Sequence, residues 1–93
     1  MKNQTIINKL NARFNKGKNS ITLFEVDKTI KISCEHADEI NGSQVGDYYD
    51  AAYYDPEEER YTSGINKVLY DWCNKNGLGL EWQNPGCLCV YNQ

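Results

Sequence analysis

Three absences bound what this chain can be. It has no run of about 18 apolar residues, so no segment reads as a membrane-spanning helix and no membrane partner is expected. It has a single histidine, His36, and no P-loop, dinucleotide-binding glycine fingerprint, G-x-S-x-G elbow or H-E-x-x-H pair. Most routes to an enzyme go with them, and neither catalysis nor a cofactor is expected. Finally, between Cys34 and Arg60 there is no lysine or arginine.

The last absence uncovers what is present. The same stretch holds nine carboxylates: Glu35, Asp38, Glu39, Asp47, Asp50, Asp55, Glu57, Glu58 and Glu59. Residues 1–34 carry seven bases against Glu25 and Asp27, so a formal net charge of −3 conceals a basic first third and a strongly acidic middle. A block of one sign attracts cations and basic protein surfaces and disfavours direct contact with phosphates.

Ninety-three residues form one domain with one core, burying roughly two-thirds or less of the unfolded chain's surface. With 40% apolar residues and only two prolines, the composition is that of a folded protein. The N-terminal MKNQTIINKL lacks the apolar stretch of a signal peptide, so a soluble cytoplasmic protein with reduced thiols is expected.

Hydrophobic periodicity supplies the elements. Ile6, Ile7, Leu10 and Phe14 predict an amphipathic helix over residues 3–16, capped by Asn3 and ended by Gly17. Residues 20–34 predict a hairpin turning at Asp27-Lys28, with Leu23 opposite Ile32 and Ile21 opposite Cys34. Residues 35–46, with Asn41-Gly42-Ser43, read as a loop or a loop with a helical turn. The repeated Tyr-Tyr-Asp of residues 48–55 is compatible with a strand or a helix; tyrosine's preference favours the strand, with Tyr49 and Tyr53 in the core.

Asp55-Pro56-Glu57-Glu58 reads as a helix start, with Asp55 as its cap. The spacing of Tyr61, Ile65, Val68, Leu69, Trp72 and Cys73 continues a helical period to Asn76-Gly77, interrupted at Ser63-Gly64. Residues 78–82 and 87–91 then form two strands around Asn84-Pro85-Gly86, with Cys87, Cys89 and Tyr91 placed on the face of Leu78, Leu80 and Trp82. The predicted fold is a compact single-domain α+β protein over residues 1–93. Its order is α-β-β-(β)-α-β-β, an antiparallel sheet of four to five strands packed with two helices.

Two chemistries compete. Cys34, His36, Cys73, Cys87 and Cys89 offer thiolate and imidazole ligands of the kind zinc prefers, and a small cysteine/histidine zinc-binding or adaptor protein is the alternative reading. The C-x-C and C-x-H spacings lack the knuckle that wraps a metal, and buried core thiols are the plainer reading. The leading reading is a partner-binding face made by Tyr48, Asp50, Tyr54, Glu57, Glu58 and Glu59. Tyrosines supply rigid contact area with a polar tip, and the carboxylates pair with Arg and Lys on a partner.

In its short length, its lack of a catalytic motif and the block DYYDAAYYDPEEE at Asp47–Glu59, the chain resembles in kind the small acidic phage-encoded anti-defence proteins, of which anti-CRISPR proteins are one group. That group shares no common fold, so the resemblance supplies none. It implies a non-enzymatic inhibitor that occupies a basic nucleic-acid-binding surface of an effector complex, such as a CRISPR effector, in the host cell cytoplasm. The basic N-terminal helix leaves room for a second contact, to nucleic acid or protein.

Overall fold

The computed structural model describes residues 1–93. Helix α1 spans Asn3–Phe14 and buries Ile6, Leu10 and Phe14, the stripe its periodicity demands. Asn3 does not cap it. Its amide reaches across to the carbonyl of Lys28 at 2.7 Å, tying the helix start to the first hairpin.

That hairpin is β1 (Thr22–Val26) with β2 (Thr29–Ser33), and Leu23 faces Ile32 as the pattern requires. Both turn residues take positive φ, 50° at Asp27 and 66° at Lys28, the condition for the two-residue turn whose twist matches its strands. The C-terminal hairpin is β7 (Leu78–Asn84) with β8 (Cys87–Asn92), and β8 lies against β2 in an antiparallel sheet ordered β1-β2-β8-β7.

One face of this sheet carries the core. Ile30, Ile32, Leu88 and Val90 share it with Leu78, and α1 and α3 (Lys67–Lys75) cover it with Leu10, Phe14, Leu69 and Cys73. Trp72 meets Phe14 edge-on at 5.4 Å, fastening the two helices together. Cys87, Cys89 and Tyr91 lie on the opposite face, with Phe24, Val26 and Lys31, not on the core face that simple alternation gives them. The reason is an irregularity between Trp82 and Asn84, where Gln83 is an extra residue that shifts the alternation by one. Lys31 donates to the side-chain oxygen of that same Gln83.

The middle of the chain departs most from expectation. Instead of a loop and a helical stretch from Pro56 interrupted at Ser63-Gly64 it forms two short hairpins, β3 (Glu39–Ile40) with β4 (Ser43–Gln44), and β5 (Tyr61–Thr62) with β6 (Ile65–Asn66). They turn at Asn41-Gly42 and Ser63-Gly64, each with positive φ at both positions. Between them is α2 (Ala51–Tyr54), a third helix where a strand was favoured. Asn66 joins these parts: its buried amide donates to the carbonyls of Ile40, Ser43 and Gln44, while its oxygen accepts from Val68 N and caps α3. The expected stop of α3 is in place, with Asn76 N bonded back to Trp72 and Cys73 and Gly77 at φ 72°. No helix is long and apolar enough to cross a membrane.

Candidate interaction surface

The acidic, tyrosine-rich segment leaves the scaffold at Gly46 and returns to it at Arg60. At its entry, Gly46 bridges Ile65, Asp47 N donates to Gly64 O at 2.7 Å, and Asn66 N donates to Val45 O at 3.0 Å. At its exit, Lys67 N donates to Arg60 O at 2.8 Å. A side chain on Gly46 has no room, since a Cβ there would lie 2.7 Å from the Trp82 ring and 2.9 Å from Cys34 Sγ. Trp82 in turn donates its indole N–H to Ser63 O at 2.8 Å, which fixes the β5–β6 turn against the main sheet.

Within the segment, Asp47 opens the helical turn. Its Oδ1 accepts from Asp50 N at 3.0 Å and its Oδ2 from the Tyr54 hydroxyl at 2.6 Å. Two consecutive alanines, the strongest helix formers, then favour α2 over the strand. Asp55 does not cap a helix, because none begins at Pro56. Its carboxylate accepts from Glu59 N, Arg60 N and Tyr61 N at 3.2, 3.0 and 2.8 Å, folding the chain back on itself rather than starting a helix. Glu58, at φ 52°, is incompatible with a helix at this point. Asp55 is only 7% exposed, and burial pushes its carboxyl pKa up; the backbone hydrogen bonds and the Arg60 charge outweigh that and hold it below the usual carboxylate range.

The four tyrosines all reach the surface. Tyr48 is 51% exposed and Tyr54 39%, but Tyr49 and Tyr53, expected in the core, are 75% and 89% exposed. Tyr49 precedes α2 and packs on Tyr48, while Tyr53 lies within the helix, so neither the strand's shared core face nor an i, i+4 stack joins the pair. Tyr48 meets Tyr49 edge-on at 5.3 Å and Trp82 at 5.4 Å; Tyr54 meets Tyr61 at 5.9 Å and has the Arg60 guanidinium over its ring at 5.4 Å. Burial of its hydroxyl and its bonds to Asp47 and Tyr61 raise the Tyr54 pKa, so it remains a neutral donor.

A groove of about 280 Å³ lies between α2 and the β5–β6 turn. Tyr48, Ala51, Ala52, Pro56 and Tyr61 supply its apolar lining, and Asp55 and Glu58 its carboxylates. Of the six residues assigned to the face, Tyr48 and Glu58 therefore share this groove, with Tyr54 adjoining it through Tyr61. Glu59 lines a neighbouring depression with Arg60, Asn66 and Lys67, and Asp50 and Glu57 are exposed outside both. The more N-terminal acids do not join them: Asp38 accepts from the hydroxyls of Ser20 and Thr22, and Glu35 lines a depression with Phe24 and Cys87. Ala51, Ala52, Pro56 and Tyr61 are not among the residues expected on the face, which were chosen for charge and exposed tyrosine and so passed over its apolar lining.

The cysteines do not gather into a metal site; no three His, Cys, Asp or Glu side chains are grouped to hold an ion. Burial pushes the Cys34 and Cys73 thiols up to about 12, with Cys87 and Glu35 adding to the effect at Cys34. No protein-family model, curated protein or solved structure matches the chain.

Proposed function

We propose that the protein is a non-enzymatic interaction module, an inhibitor in its mode of action, that docks its Asp47–Glu59 surface on an Arg/Lys-rich partner. The observation that carries this reading is the exposure of four tyrosines within seven residues, among carboxylates bonded to backbone amides and hydroxyls. Contiguous exposed aromatic surface marks interaction sites, and tyrosine is enriched among residues that dominate binding energy. Uncompensated acid around it steers a basic partner in and makes association salt-sensitive.

In its narrower form the partner is the basic nucleic-acid-binding surface of an effector complex, such as a CRISPR effector, and the protein competes with nucleic acid for it. The triple substitution Glu57→Lys, Glu58→Lys, Glu59→Lys is expected to weaken capture of a basic partner at least tenfold and flatten its salt dependence. Circular dichroism of the same variant controls for its fold. Capture unchanged by the reversal and by raised salt would overturn the reading. For the narrower form, the chain added to an effector should lower its target-DNA affinity in a gel-shift assay; an unchanged affinity removes that form alone.

A further inference from the structure

We infer that the groove between α2 and the β5–β6 turn is a receptor for a single arginine side chain of the partner, an assignment that rests on the docking reading above. Its size is the first argument. Small-molecule sites occupy about 300–1,000 Å³, and about 280 Å³ lies at the lower edge of that range. One long side chain suits it better than a metabolite.

The chemistry of the lining selects which side chain. Ala51 and Tyr61 are buried and, with Ala52 and Pro56, offer an apolar bed for a methylene stem. The exposed carboxylate of Glu58, with Asp55 buried behind it, calls for a cation at the end of that stem. Lysine and arginine both meet those two demands. The half-exposed ring of Tyr48 favours arginine, whose planar guanidinium stacks on aromatic faces and pairs with a carboxylate in a fork. Arg60 over Tyr54 is an instance of that stacking in the adjoining wall.

The groove is also prepared in advance. Glu58 has a left-handed backbone, φ 52°, and its Oε1 accepts from Ser63 N at 3.2 Å, which orients the carboxylate before any partner arrives. Two resident cations lie close by, and both reach backbone rather than the Glu58 carboxylate: Lys67 Nζ contacts the carbonyl of Glu58 at 3.5 Å, and Arg60 the carbonyl of Tyr54 at 3.4 Å while its charge acts on the buried Asp55. Neither lines the groove.

The probe is the blocked tripeptide acetyl-Gly-Arg-Gly-amide, titrated into the ¹⁵N-labelled chain, with its citrulline counterpart as a neutral isostere. Saturable amide shifts at Ala52, Ser63 and Gly64 are expected with arginine and at least tenfold weaker with citrulline. Ala52→Trp, at an exposed position, should abolish them, and Glu58→Gln should lower the affinity about tenfold, as loss of a charge-assisted hydrogen bond implies. The wild-type titration keeps the test decisive if Ala52→Trp fails to fold. Equal shifts with both peptides, or shifts scattered over the other acids, overturn the groove. Salt-sensitive binding of octa-arginine, measured in parallel, separates the two readings. If it survives while the tripeptide fails, the docking surface stands without this receptor; if it too is absent, both fall.

Discussion

Asp55 gathers three backbone amides with one carboxylate, and its titration should be visible in the stability of the whole chain. A carboxyl whose folded pKa is below its unfolded value contributes fully above the unfolded value, near 3.9, and loses that contribution as pH falls through the folded one. The melting temperature should therefore fall between pH 5 and pH 3 more steeply for the native chain than for Asp55→Asn, followed by circular dichroism. Parallel slopes would show that the amides are not held by charge. Asp55 also shows what a sequence conceals at this scale. Asp-Pro-Glu-Glu carries every mark of a helix start, but the same carboxylate can reach amides four to six residues on, and local competition of that kind leaves no signature in composition.

At the scale of elements, the turn at Asp27-Lys28 places a lysine at φ 66°, a region that costs an L-residue with a Cβ roughly 1–2 kcal/mol and a glycine nothing of the kind. Lys28→Gly should stabilise the protein by about 0.5–1 kcal/mol, glycine's extra unfolded-state entropy offsetting part of the relief. Urea unfolding measures it, and the contact with Asn3 survives because it is made by the backbone carbonyl. The first hairpin and α1 were legible because their core residues recur at one period, and the C-terminal hairpin was legible as two strands around Asn84-Pro85-Gly86 though not in its phase. The middle was not. Tyr61, Ile65, Leu69 and Cys73 obey a helical spacing although the first two are in strands, because two-residue strands are too short to establish a period of their own. Asn41-Gly42 was the stronger signal, being the preferred pair for a tight hairpin. On β8 the error is one of phase: nothing in Glu81-Trp82-Gln83-Asn84 announces that Gln83 is supernumerary.

For the molecule as a whole, a single core links α1, α3, the sheet and the two small hairpins, with Ile40, Val45 and Ile65 joined to Phe14, Leu69 and Leu88. Unfolding should be one cooperative event. Trp72 reports on the helix pair and Trp82 on the candidate surface, so single-tryptophan variants Trp82→Phe and Trp72→Phe test this directly. Their fluorescence transitions should coincide in urea, and Phe14→Ala should displace both by about 3–5 kcal/mol of stability. A Trp82 signal that ignores Phe14→Ala would mean that the surface melts by itself. The adjacent fastening of the two ends of the Asp47–Arg60 excursion, at Ile65 and at Lys67, has a corollary. A segment whose ends are clamped side by side on a shared framework can be rewritten or lengthened between those clamps while the strands that hold it keep their bonds.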